Sequence, residues 1–93
     1  MIRSPAYIAE VLVPGHIAAK VNEKHNVTVA EVREAVVLTM LISATRDRLA
    51  DGSERLLVKG KTYNGRALKV VLYLVDEDLG VWRLATAMPN AGA

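Results

Sequence analysis

The sequence predicts an α+β fold in which two N-terminal helices pack on one face of a three- to four-stranded antiparallel sheet. Three observations predict it. Ile17, Ala18 and Val21 recur at helical spacing, and residues 28–31 have the form of a helix-starting capping box. Asn64-Gly65 then separates two long apolar segments, which is typical of a β-hairpin.

Length and composition indicate one small domain that folds by aliphatic packing. The 93 residues include no cysteine and no phenylalanine, while 52% of them are hydrophobic. One domain is the expectation for this length, with flexible tails at about residues 1–6 and 89–93. No apolar run approaches the roughly 20 residues that cross a bilayer, and the first residues do not resemble a secretory signal. We therefore expect a cytoplasmic protein with no membrane partner.

Both helices are bounded by local signals. Residues 7–13 are predicted to be a short strand or an extended lead-in. Pro14 suits the first turn of the following helix, because that turn does not need its N–H, and Asn26 is expected to end it. The second helix begins at the capping box, where Thr28 and Glu31 can bond reciprocally, and its apolar stripe predicts an end near residues 39–41.

The segment after the helices is predicted to be mostly loop. Residues 41–44 are apolar enough for a short edge strand. Residues 45–53 are polar and include Asp51-Gly52-Ser53, a turn signal, so an exposed loop is expected there. A later turn is predicted at residues 76–80.

The hairpin at Asn64-Gly65 admits two loop lengths, which expose different faces. A two-residue loop would mix Lys59 and Lys61 with the aliphatic side chains. A three-residue loop pairs Thr62 with Arg66 and separates the two kinds of side chain. Because a one-residue slip moves every side chain to the other face, the pattern favours the three-residue loop. The apolar face would then hold Leu56, Val58, Gly60, Thr62, Leu68, Val70 and Leu72.

A last strand is predicted over residues 81–88. Plain alternation places Trp82, Leu84 and Thr86 on one side of it. Arg83, Ala85 and Ala87 fall on the other side. Because strands adjacent in sequence usually pair in space, a meander is expected.

Basic residues gather on the hairpin face turned away from the helices. Residues 55–73 include five basic residues and no acidic one. Basic side chains contact RNA phosphates, and a nearby aromatic ring can stack on a base. The competing interpretation is a solvated face whose lysines block edge pairing. The candidate RNA-binding residues are Lys59, Lys61, Lys69 and Tyr63.

Three apolar side chains, Leu57, Val71 and Tyr73, fall on the same basic face. Exposed apolar groups of this kind indicate a partner surface or a second layer of the fold. They form the candidate partner interface, and a second copy of the chain is one candidate occupant.

The two histidines of the chain, His25 and His16, are candidates for a residue that transfers a proton. His25 lies between the helices and could transfer a proton, because imidazole groups titrate near neutral pH. A histidine there more often interacts with a helix end or is merely exposed. His16 has a weaker case. Two histidines nine residues apart, with scattered acids and no cysteine, form no metal-ligand spacing, so no metal and no cofactor are expected.

Three segments resemble the RelE-like toxin superfamily, and within it the BrnT group and its small relatives. Residues 24–28 followed by Glu31-Val32 are similar to that group's KHGV(S/T)xxE(A/V) helix junction. Residues 60–73 are similar to its GxTxxGRxLxVVY hairpin, and residues 82–87 to xRIISA. Together they cover most of residues 15–88.

The resemblance implies a RelE-like fold and a type II toxin, a ribonuclease that acts on RNA or translation and is neutralised by a partner antitoxin. The family roles fall on Arg66 and Arg83, and with His25 these are the candidate catalytic residues. The family usually has an arginine where this chain has Met88. The alternative is a non-catalytic α+β module that binds a protein partner or nucleic acid through its basic sheet face. A third hypothesis is that the protein cleaves RNA but uses Lys59, Lys61 or His25 instead.

Overall fold

A computed structural model describes residues 7–37 and 43–90 of the chain. These residues form two helices and five strands. The elements in chain order are β1 Glu10–Leu12, α1 Gly15–His25, α2 Val29–Val36, β2 Ser43–Arg48, β3 Glu54–Lys61, β4 Ala67–Asp76 and β5 Val81–Pro89.

The five strands form one mixed sheet in the spatial order β1-β5-β4-β3-β2. The α+β class is confirmed, but the sheet is larger than the three to four antiparallel strands predicted. β1 runs parallel to β5, while the other neighbours are antiparallel. A parallel pair needs a long connection between its strands, and the helices and β2–β4 supply that connection here.

Both helices begin as their local signals predict. Pro14 precedes α1, and Asn26 ends it in the left-handed conformation with φ 53°. The capping box is complete, because the Glu31 N–H donates to Thr28 Oγ1 at 3.1 Å and the Thr28 N–H donates to Glu31 Oε1 at 3.0 Å. α2 ends at Val36, and residues 39–41, where its end was predicted, lie outside the described residues.

The three-residue hairpin loop is confirmed. The Thr62 N–H donates to the Arg66 carbonyl at 2.9 Å, and the Gly65 N–H donates to the Thr62 carbonyl at 2.9 Å. Gly65 has φ 83°, which only glycine adopts at little cost. The predicted apolar face of the hairpin is buried at Leu56, Val58, Gly60, Thr62, Leu68, Val70 and Leu72.

Buried side chains from both helices and the sheet form one hydrophobic core. α1 contacts β5, and α2 contacts β3 and β4. A Cβ atom on Gly60 would lie 2.1 Å from the Ala35 carbonyl oxygen, so the missing side chain lets α2 rest directly on β3. The buried core residues are Val11, Val21, Val27, Val32, Ala35, Val36, Leu56, Val58, Leu68, Val70, Leu72, Trp82, Leu84 and Ala87.

Residues 45–48 belong to a strand, which corrects the loop predicted over residues 45–53. β2 pairs antiparallel with β3 along its whole length. β2 lacks the alternating apolar residues of a typical strand and is held to β3 by ion pairs instead. Arg46 of β2 donates to Glu54 of β3 at 2.9 and 3.2 Å. Arg46 also lies over the Trp82 ring, with Cζ 5.7 Å from its centroid. The edge strand predicted at residues 41–44 is described only from Ser43 onward.

A bulge in β5 corrects the predicted alternation of the last strand. Val71 lies opposite Thr86, but Leu72 lies opposite Leu84, so Ala85 is an extra residue. The bulge turns Ala87 towards the core and Thr86 away from it, the reverse of the prediction. The strand also reaches into the predicted C-terminal tail, because Pro89 lies opposite Leu68. The Asn90 N–H then donates to the Ala67 carbonyl at 2.9 Å.

Neither of the two described helices is long and apolar enough to cross a membrane.

Candidate nucleic-acid interface

The sheet face opposite the helices, here called the open face, is not covered by any described element. Directly opposed residues on neighbouring strands share a face, so the register arranges its side chains in rows across the sheet. The arginine row is Asp47, Arg55, Tyr73, Arg83 and Leu12. The apolar row is Thr45, Leu57, Val71 and Thr86. The lysine row is Ser43, Lys59, Lys69 and Met88.

The arginine row places one aromatic ring between two guanidinium groups. Arg55 and Arg83 lie directly opposite Tyr73 on its two neighbouring strands. The Arg83 Cζ lies 5.8 Å from the centre of the Tyr73 ring, within the range of a cation–π contact.

The two arginines of this row differ in their partners. Arg55 donates to both carboxylate oxygens of Asp47, at 3.2 and 2.7 Å. The hydrogen bond from Arg55 holds the pKa of Asp47 below its usual value, and the same bond raises the pKa of Arg55. Arg83 is exposed and has no carboxylate partner within residues 7–37 and 43–90. Arg83 is therefore the cation of this row that is available to an anionic ligand.

A groove of about 420 Å³ opens beside Arg83, between the beginning of α1 and β5. β1 ends at Leu12, opposite Arg83, so it does not cover the edge of β5 from Leu84 onward. The chain turns into α1 at this corner. A histidine, a tyrosine and an arginine are among the residues that line this one cavity. Its lining residues are Pro14, His16, Ile17, Tyr73, Arg83, Leu84 and Ala85.

The lysine row concentrates positive charge at the other end of the open face. Lys59 lies directly opposite Lys69, and Lys61 follows two residues along β3 on the same face. Opposed like charges are destabilising, and no described carboxylate pairs with any of the three lysines. A bound anion would relieve that repulsion. Tyr73 is four positions further along β4 than Lys69, a distance of about 13 Å.

Arg66 lies outside the open face, in contact with the junction of the two helices. Its NH1 group donates to the Asn26 carbonyl at 2.8 Å and to Glu31 Oε2 at 2.9 Å. Its NH2 group donates to the His25 carbonyl at 3.2 Å. Arg66 therefore binds the carbonyls that end α1 and the carboxylate in the first turn of α2, which attaches the hairpin tip to both helices.

The structure separates the three predicted catalytic residues. Arg66 and His25 lie together at the helix junction. Arg83 lies in the arginine row, opposite Tyr73. Tyr73 is seven positions further along the chain than Arg66, about 23 Å along an extended strand. A single substrate atom cannot contact Arg66 and Arg83 at the same time in this arrangement.

The other predicted site residues divide between the open face and the hairpin tip. Lys59, Lys61 and Lys69 are on the open face. Tyr63 is at the tip and is 70% exposed, with its N–H donating to Glu34 Oε1 at 3.0 Å. Leu57 and Val71 form the middle of the apolar row, and each is half-buried.

Sequence reasoning missed the grouping of His16 and Tyr73 with Arg83. Tyr73 could have been placed opposite Arg83 by counting back from the turn at residues 76–80. His16 had no local signal, because its position depends on the parallel pairing of β1 with β5.

No group of three or more histidine, aspartate or glutamate side chains is placed to hold a metal ion in the described part of the chain. A scan against protein-family models matched none of them, and a search of curated proteins likewise found no match for this chain.

Proposed function

We propose that the chain binds RNA through the open face and cleaves it, as a toxin of the RelE-like type that its sequence resembles. On this face Lys59, Lys69 and Arg83 pair with no carboxylate of residues 7–37 and 43–90, and this observation carries the proposal. Lys59 and Lys69 oppose each other directly, and Arg83 stands exposed at the other end. Lysine and arginine side chains that are not neutralised by a described carboxylate are suited to bind the phosphates of a nucleic acid strand.

The two ends of the face would have different tasks. The lysine row would bind phosphates and set the register of the strand, without contributing sequence specificity. Arg83 would stabilise the negative charge that develops on the phosphate during 2′-hydroxyl attack. The contact with the Tyr73 ring supports this role, because it limits the conformations of the guanidinium before the substrate arrives.

The apolar row offers a place for an inhibiting protein partner. Leu57 and Val71 lie between the lysine row and the arginine row. A partner seated on these side chains would cover both groups of cations. An antitoxin bound there would therefore exclude RNA, which is the relation that the resemblance implies.

Expression of the chain in a bacterial host tests the proposal. We expect growth arrest, together with cleavage of labelled RNA by the purified protein. Arg83→Ala should relieve the arrest and leave the folded structure intact, since its side chain is exposed. Lys20→Ala, an exposed change on α1, is the matched control and should arrest growth like the wild type. Normal growth together with intact RNA would reject the toxin assignment.

A non-catalytic interaction module is the second candidate function. The resemblance assigns Arg66 to catalysis, but its guanidinium already donates hydrogen bonds to Asn26, His25 and Glu31. This observation favours a non-catalytic module. For such a module, Arg83→Ala would have no growth phenotype. Leu57→Asp would instead dissociate a complex seen by size-exclusion chromatography.

A further inference from the structure

We infer that His16 transfers the proton in RNA cleavage and that the groove beside Arg83 holds the reacting nucleotide. This inference rests on the proposed function. It assigns a catalytic residue that the resemblance does not supply, and it identifies the ligand as a single-stranded RNA phosphodiester with a free 2′-hydroxyl.

The residues that line the groove suit a nucleotide. His16, Tyr73 and Arg83 are polar residues of its lining, and Pro14 and Ile17 are apolar residues of its lining. A volume of about 420 Å³ falls within the range of small-ligand pockets, roughly 300–1,000 Å³. A cavity with an apolar wall and a few convergent polar groups suits one nucleotide, with its base or ribose against the wall and its phosphate at the guanidinium.

The two histidines lie at opposite ends of α1. His16 is the second residue of the helix, and His25 is its last. Their positions differ by nine steps along the helix, about 14 Å. His25 therefore lies at the opposite end of α1, where its carbonyl accepts a hydrogen bond from Arg66. His16 is the described histidine that shares a cavity with Arg83.

The chemistry balances without any additional reactant. The neutral His16 imidazole takes the proton of the 2′-hydroxyl, and the 2′-oxygen forms a bond to phosphorus. The bond from phosphorus to the 5′-oxygen breaks, and the departing oxygen takes a proton from water. The hydroxide left from that water takes the proton that His16 accepted, which returns the imidazole to its starting form. The products are a 2′,3′-cyclic phosphate and a 5′-hydroxyl end. Arg83 neutralises the charge that develops on the non-bridging oxygens.

Cleavage of a labelled RNA oligonucleotide by the purified full-length chain tests the inference. We expect His16→Ala and His16→Gln to lower the cleavage rate by about 100-fold, as for removal of a general base. Both should bind a 2′-O-methyl version of the oligonucleotide with unchanged affinity. Added imidazole should restore part of the cleavage by His16→Ala, which a purely structural role would not allow.

Two further variants separate the outcomes. His25→Ala represents the competing assignment, and a larger loss of cleavage in His25→Ala than in His16→Ala would overturn the inference. The surface control Lys20→Ala should cleave at the wild-type rate. Wild-type cleavage by both His16 variants would overturn the inference and leave the proposed function standing. Absence of cleavage by the wild-type chain would overturn both.

Discussion

Arg66 donates to Glu31 across the hairpin and the helix junction, with 2.9 Å between its NH1 group and Oε2 of the carboxylate. Both side chains are largely shielded, with exposures of 31% and 22%. The same guanidinium binds two carbonyls at the end of α1. We expect Arg66→Ala to destabilise the protein by about 1–3 kcal/mol, because several charge-assisted hydrogen bonds are lost together. Urea denaturation measures this.

Arg33→Ala is the control for that experiment, since Arg33 is exposed on α2. Arg66→Lys should recover only part of the stability, because an ammonium group cannot reproduce the planar fork that contacts three acceptors. If Arg66→Ala kept wild-type stability but lost RNA cleavage, Arg66 would have a direct catalytic role.

The ion pair of Glu31 predicts a dependence of stability on pH. Burial raises the pKa of Glu31, but hydrogen bonds from Thr28 and Arg66 outweigh burial, so the pKa lies below its usual value. A carboxylate with a lowered pKa stabilises the fold above its unfolded pKa of about 4.3. That contribution disappears as the pH falls through the folded value.

Glu31→Gln should therefore be less stable than the wild type at pH 7, and the difference should shrink as the pH falls below about 4. Thermal melting between pH 7 and pH 3 measures this difference. Glu23→Gln, an exposed change on α1, should show no comparable trend. A difference that stayed constant over the whole range would mean that the charge of Glu31 contributes nothing to stability.

The close contact of α2 with β3 at Gly60 predicts that no side chain larger than that of glycine fits at this position. A Cβ atom there would lie 2.1 Å from the Ala35 carbonyl oxygen, and backbone cannot move aside as a side chain can. Gly60→Ala should lower the free energy of unfolding by about 1–3 kcal/mol or more. Gly15→Ala is the matched control, because a Cβ atom at Gly15 has no atom within 4 Å. Equal stability of both variants would show that α2 can move away from β3 at little cost.

The lysine row predicts a salt-dependent contribution to RNA affinity. Lys59→Ala and Lys69→Ala should each weaken binding and lower the slope of log affinity against log salt by about 1. The measurement is fluorescence anisotropy with a labelled oligonucleotide at several salt concentrations. Neither change should lower stability, because each removes one of two opposed like charges.

Lys20→Ala is the control for charge loss away from the open face. If it weakened binding as much as Lys59→Ala does, affinity would follow net charge alone. The lysine row would then be only a solvated surface.

The sequence by itself determined the features that depend on near neighbours. The capping box at Thr28 and the end of α1 at Asn26 follow from bonds within one helical turn. The hairpin register follows from alternation, because the other loop length would have placed Lys59 and Lys61 in the core. Those lysines lie on the open face as predicted.

Only the tertiary structure decided the features that join distant parts of the chain. The parallel pairing of β1 with β5 brings His16 close to Arg83. The ion pairs of Arg46 with Glu54 and Glu77 stabilise the polar segment β2 as a strand of the sheet. The bulge at Ala85 reverses the faces of Thr86 and Ala87. Arg66 illustrates the difference most clearly. Its position at the hairpin tip follows from the local sequence, but the partners of its guanidinium lie 35 or more residues away. Local patterns do not encode such contacts, because they form only when the helices pack on the sheet.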